Sequence, residues 1–152
     1  MTTGAADPTF IDTNILVFAS AITAPFHALA RQAILALEAV GVELWVSRQV
    51  LREYLATFTR PQTYTAPRPV PFLVSDVRSF ERRFRVAEDR PEVTTNLLSL
   101  LDQIAVGGKQ VHDANIVATM QAYGIPRLLT NNDADFARYA GLITVVPLVP
   151  AR

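Results

Sequence analysis

The chain has 152 residues, half of them hydrophobic and 18% charged, which suits one globular domain with its own core. Its 14 basic and 14 acidic side chains cancel, so any grip on a polyanion must come from local positive charge or from a metal. The absence of cysteine excludes a disulfide framework, a thiolate zinc site and a cysteine nucleophile.

No apolar run approaches the ~20 residues of a membrane span. The first ten residues hold no basic segment followed by an apolar one, so no signal peptide is expected and a cytoplasmic domain is. Residues 1–152 show no repeat and no linker, and read as a single domain.

In chain order, Thr9-Phe10-Ile11 predicts a short buried strand ending at Asp12, and a helix starts near Asn14. His27 to Val40 carries Leu29, Ala33, Leu37 and Val40 at helical spacing, with Gly41 as its stop. Glu43 to Val46 predicts a second strand. Ser47 then caps a helix holding Val50, Leu51, Tyr54, Leu55 and Phe58. Four prolines between Pro61 and Pro71 predict a loop over about 61–74. Ser75 is expected to open a helix with Val77, Phe80 and Phe84, followed by a minor strand at 84–86.

Pro91 starts a further helix that Gly107-Gly108 stops, and Val111 to Tyr123 forms another, ended by Gly124. Pro126 to Thr130 predicts a strand, Asp135 to Tyr139 a helical turn, and Leu142 to Val146 the last strand. Short apolar strands alternating with helices argue for an α/β three-layer sandwich around a parallel sheet of four to five strands. Ligands of such sheets bind beyond the carboxyl ends of the strands, where Asp12 and the Asn131–Asp135 turn belong.

The acids differ in weight. Asp12 follows a buried strand, but an Asp there also serves as a helix cap. Asp113 shares one helix face with Ile116, Val117 and Met120. The helix dipole offers only about 0.3–1 kcal/mol against the several kcal/mol that burying a lone carboxylate costs. Glu53 lies beside the apolar stripe of its helix and alone signifies nothing. Asp133 and Asp135 sit in a turn dense in Asn and Asp, which turn chemistry also explains. Carboxylates with no cysteine and two histidines suit Mg²⁺ or Mn²⁺, which activate water in phosphodiester cleavage. Before such an ion binds, the clustered charges should raise some carboxylate pKa values.

Lys109, after Gly107-Gly108, could meet a phosphate, though a solvated lysine explains it as well. His112 and His27 are expected to cap or pack. Arg78, Arg82, Arg83 and Arg85 form the densest basic run, which reads as a solvated face or a phosphate contact. Trp45, Phe80 and Phe84 are assigned to packing.

Four segments together resemble the motifs of PIN domains. They are Phe10-Ile11-Asp12-Thr13-Asn14-Ile15-Leu16-Val17, Ser47 to Tyr54, Val111 to Ala118, and Leu128 to Phe136. They occur in the family's order, and the compact bacterial VapC-type toxins of toxin–antitoxin pairs are the most similar members. The resemblance implies Mg²⁺- or Mn²⁺-dependent cleavage of RNA, tRNA or rRNA among the candidates, with one or two ions per site.

It also implies Asp12 and Asp113 as main metal ligands, with Glu53 completing the site or orienting a water. Thr13 and Asn14 would orient Asp12 and the phosphate. The fourth acid depends on alignment. Counting from Thr130 selects Asn132, and counting back from Phe136 selects Asp133 and Asp135. Asp135 is preferred, with Asn132 or Asp133 assisting. An antitoxin partner and a homodimer are further family expectations.

Two other classes compete. A receiver domain would need an early acidic pair and a lysine on the terminal strand, and both are missing. A non-catalytic PIN-like scaffold or RNA-binding protein would follow if the acids failed to converge. Dinucleotide and P-loop glycine fingerprints are absent.

Overall fold

The computed structural model describes residues 6–150; the reading of the first ten residues as lacking a leader therefore falls partly outside them. Five strands form one sheet: β1 (Thr9–Ile11), β2 (Leu44–Ser47), β3 (Arg85–Ala87), β4 (Arg127–Thr130) and β5 (Thr144–Pro147). Their order is β3-β2-β1-β4-β5 and every pairing is parallel. β1 is central, with Phe10 beside Trp45 on one side and Leu128 on the other. Both Phe10 and Ile11 are fully buried, so each face of the sheet is covered.

The helices are α1 (Thr13–Ser20), α2 (His27–Ala39), α3 (Arg48–Phe58), α4 (Val70–Arg83), α5 (Pro91–Gln103), α6 (Gln110–Tyr123) and the short α7 (Asp133–Phe136). A 3-10 turn, Ala137–Tyr139, follows α7. Parallel crossovers are right-handed. The chain moves outward one way from β1 to β3, then returns to β4 and β5 on the other side. That reversal puts α1–α4 over one face and α5–α6 over the other, and the packing agrees: α1 against α2 and α3, α5 against α6. The three-layer α/β architecture read from the sequence is the one observed.

Three element starts differ from expectation by two residues or more. α4 begins at Val70, five residues before Ser75, so the proline loop ends at Pro69 and not near residue 74. Pro71 lies in the first turn of α4, where a helix has no use for the missing N–H, so a proline there starts a helix as readily as it breaks one. The last strand begins at Thr144 because Leu142 and Ile143 N–H groups still bond back to Tyr139 in a turn. α7 starts at Asp133 and not Asp135. Among the described residues, no helix is long and apolar enough to cross a membrane.

The reversal of strand order falls between β1 and β4. Neighbouring crossovers leave that point in opposite directions, which opens a crevice at the carboxyl ends of these two strands. Asp12 and Thr130 are the residues that end there.

Candidate metal centre

Asp12 leaves β1 as the cap of α1 and is almost fully buried, at 5% exposure. Its Oδ1 accepts from the Thr13 backbone N–H at 2.8 Å. Its Oδ2 accepts from Thr130 Oγ1 at 2.7 Å and from Asn14 Nδ2 at 3.1 Å. The capping role and a functional role are thus not alternatives, because capping uses one oxygen while β4 and Asn14 orient the other.

Asn14 extends the frame. Its Oδ1 accepts from the Asn131 N–H at 3.0 Å, and Thr130 Oγ1 accepts from the Asn132 N–H at 2.9 Å. The turn after β4 is therefore pinned to the start of α1. Gln49, a buried residue on α3, ties Glu53 to the helix that carries Asp113. It donates to Glu53 Oε1 at 2.8 Å and to the His112 carbonyl at 3.0 Å, and its Oε1 accepts from Asn115 Nδ2 at 2.7 Å. Glu53 Oε2 accepts from Thr13 Oγ1 at 2.7 Å. One continuous chain of hydrogen bonds joins the helix carrying Asp113, the helix carrying Glu53 and the end of β1.

Asp113 lies in the first turn of α6, half-buried above Ile116, Val117 and Met120, as its spacing predicted. Gly108, at φ +56°, makes the left-handed bend that leads into α6. Burial is the main reason the Asp12 carboxyl is pushed up to about 6. The charges of Glu53 and Asp113 add to it, against hydrogen bonds from Thr130 and Thr13 that pull it down. Asp113 is also pushed up to about 6, by burial first and then by Asp135 and Glu53, while His112 and Arg138 oppose the rise.

A cleft of about 670 Å³ opens over these groups, walled by Asp12, Glu53, Asp113, Asn132, Lys109 and His112 among others. Thr13 and Asn14 line it too. Asp135 is exposed on α7 and close enough to raise the Asp113 pKa. Asp133 faces a separate shallow hollow with Ala137, Ile143, Thr144 and Pro147. Two residues apart on a helix are turned ~200° from each other, so α7 can aim only one of its two acids at the cleft.

Glu53 is half-buried and doubly bonded, not the solvated helix acid its spacing allowed. His112 is exposed on the cleft wall and neither caps nor packs, while His27 bonds the Phe18 carbonyl through Nδ1. The basic run does not serve the cleft. Arg83 pairs with Glu38 and Arg85 with Glu43, both beyond the amino ends of the strands. The cleft's cations are Arg52, Arg60 and Lys109. Gln49, Thr130 and Asn115 had no role assigned from the sequence. Only the spacing of Gln49 to Glu53, four residues on one helix, offered a signal.

Apart from the His112 imidazole and the Lys109 amine on its wall, the cleft offers oxygens of carboxylates, amides and hydroxyls, which fit a hard divalent cation. Among the described residues, however, no three acid or histidine side chains stand close enough together to ligate one ion as placed.

The PIN domain family model matches residues 9–142. No curated protein matches at a significant level. Similar solved structures include a toxin–antitoxin complex from Klebsiella pneumoniae, at 22% identity and TM-score 0.65, covering 94% of this chain and 99% of that one. Mycobacterium tuberculosis VapC20, described as a sarcin–ricin loop cleaving toxin, has 21% identity and TM-score 0.64, covering 91% and 99%. DNA-bound VapBC from Salmonella typhimurium has 17% identity and TM-score 0.67, covering 95% and 100%. These likenesses are of fold, and the four motifs fall within the matched residues: the chain belongs to the PIN domain family.

Proposed function

We propose that this chain is a Mg²⁺- or Mn²⁺-dependent endoribonuclease, the toxin of a VapBC-type toxin–antitoxin pair acting in the cytoplasm. The observation that carries the reading is the Asp12–Asp113–Glu53 group, in which two carboxyls are pushed up to about 6. Acids arranged purely for stability would have cationic partners. None of these three has one among the described residues. A hard cation held there, one ion or two, supplies Lewis acidity toward a phosphate oxygen and lowers the pKa of a nearby water.

Asp12 and Asp113 would be the principal ligands, with Glu53 completing the site or accepting a proton from the attacking water. Asp135 would supply the fourth carboxylate, while Asp133 faces away. Thr13 holds Glu53, Asn14 and Thr130 hold Asp12, and Asn132 and Lys109, which line the cleft, would face the substrate. RNA as substrate is supported by the sarcin–ricin loop cleaving activity in the description of one structural neighbour. An antitoxin partner is supported by the toxin–antitoxin complexes among the others. Exposed Ile22, Leu35, Val70 and Phe72 supply apolar surface that an antitoxin or a second copy would cover.

One observation favours a non-catalytic RNA-binding or scaffold protein instead: the acids do not already form a tight ligand set. Mutual repulsion keeps carboxylates apart when no cation lies between them, so this spacing is compatible with either reading. Cleavage of a mixed small-RNA pool by purified protein, with Mn²⁺ or with EDTA, separates them. The nuclease reading expects cleavage that needs Mn²⁺ and disappears in Asp12→Asn and Asp113→Asn. Absence of both cleavage and metal binding would establish the scaffold.

A further inference from the structure

The acid centre occupies only one end of the cleft. Along α3, Glu53, Ala56 and Thr57 follow at spacings of three and four residues, Arg60 comes two residues past the end of the helix, and all four line the cleft. At ~1.5 Å per residue, the end of α3 lies roughly 7 Å beyond Glu53, and Arg60 follows it. That is too far to serve the reacting phosphate and suits a neighbouring unit of a chain. Opposite this stretch stand Val17 and Phe18 of α1 and Tyr64 of the proline loop.

The loop is held in place. The Tyr64 carbonyl accepts from Thr23 Oγ1 at 2.6 Å. Gln62 N–H bonds Thr65 O at 3.0 Å, and its side chain bonds Thr57 O at 2.8 Å. Arg60 is bent back by a bond from Nε to the Ala56 carbonyl at 3.1 Å. Among the described residues, neither Arg60 nor Lys109 is paired with a carboxylate, whereas Arg52 is held by Asp89 at 3.1 Å.

We propose that the cleft beyond Glu53 is a nucleotide subsite, where an unpaired base adjoining the scissile phosphate stacks on Tyr64 above the Ala56 floor and its phosphate meets Arg60. The subsite rests on the nuclease reading above and narrows its substrate to a single-stranded segment, since a base held in a duplex has no free face to stack on a side chain. An apolar peptide side chain would fill the same hollow. It would leave two cations of one cleft, Arg60 and Lys109, without anionic partners, whereas a strand with a phosphate at every unit satisfies both.

The test is fluorescence anisotropy of two labelled RNA hexamers, one of mixed sequence and one abasic, binding the full-length chain with Ca²⁺. Gels check that the probes stay intact. Wild type should bind the base-bearing hexamer about tenfold more tightly than the abasic one. Tyr64→Ala should abolish that preference and Tyr64→Phe restore it. Ala56→Leu, a change on an exposed floor position, should weaken the base-bearing probe alone and guards against a folding defect in the tyrosine variant.

Arg60→Gln should weaken both probes and flatten the salt dependence by about 0.7 in log–log slope. Equal binding of the two hexamers by wild type, or a preference untouched by Tyr64→Ala and Ala56→Leu, overturns the subsite. If Mn²⁺-dependent cleavage of pooled RNA persists in that case, the nuclease reading stands without it. If neither hexamer binds and no RNA is cleaved, both readings fail and a protein segment becomes the occupant of the cleft.

Discussion

The amino ends of β2 and β3 and the carboxyl ends of β1 and β4 treat their acids in opposite ways. At the amino ends of β2 and β3, Glu38 pairs with Arg83, and Glu43 accepts from Arg85 at 3.0 Å. Arg85 and Arg83 also lie over the Trp45 and Phe84 rings, so those cations are fully committed. At the carboxyl ends of β1 and β4, Asp12, Glu53, Asp113 and Asp135 have one another for neighbours. Neutral donors hold Asp12 and Glu53: Thr13, Asn14, Gln49 and Thr130. Paired acids make a surface that needs nothing further. Acids fixed by neutral donors keep their charge, and their mutual repulsion, available to a ligand.

The largest expected effect breaks the second arrangement. Asp12→Asn or Asp113→Asn should lower Mn²⁺-dependent RNA cleavage by about 10³-fold, equivalent to ~4 kcal/mol of barrier, in a gel-based single-turnover assay. Retention of more than a tenth of the wild-type rate would remove these carboxylates from the chemistry.

Next comes the pH dependence of the metal-free protein. Asp12 has an ordinary pKa of 3.8 and a folded value of about 6, so between these values the folded state binds the extra proton. Stability should therefore fall as pH rises from about 4 to 6, by on the order of 2–3 kcal/mol from Asp12, with Asp113 acting in the same direction. Urea unfolding in EDTA measures it, and Asp12→Asn should flatten the slope. A stability that climbs over this window would contradict the crowding of the acids.

Gln49→Leu sharpens the contrast between neutral and charged support. The leucine keeps the bulk but breaks the bridge from Asn115 to Glu53, so Mn²⁺ affinity should drop about tenfold. Gln49→Glu should not restore it, since it adds another charge to the group. Unchanged Mn²⁺ affinity in Gln49→Leu would reduce the bridge to a packing role. The smallest effect is expected at the other end. Glu43→Gln should cost at most ~1 kcal/mol in thermal unfolding and leave cleavage untouched.

Much of this layout was legible because it is local. The apolar stretch Thr9–Ile11 running into Asp12 marked a strand end, and Asp113 at the head of Ile116, Val117 and Met120 marked a carboxylate facing inward. What was not legible depends on partners distant in sequence. Thr130 lies 118 residues from the Asp12 oxygen it bonds, and Asn115 lies 66 from Gln49. The arginines from Arg78 to Arg85 read as a solvated face or a phosphate contact until the fold brought Glu38 and Glu43 beside Arg83 and Arg85. The start of α4 was obscured because a proline in a first turn and a proline in a loop read alike.

The most direct measurement is isothermal titration of Mn²⁺ into the purified protein at pH 7, comparing wild type with Asp113→Asn and Glu43→Gln. Wild type and Glu43→Gln should bind alike, and Asp113→Asn should bind at least tenfold more weakly. No binding by wild type, or equal binding by Asp113→Asn, would contradict a hard-cation centre at the carboxyl end of the sheet.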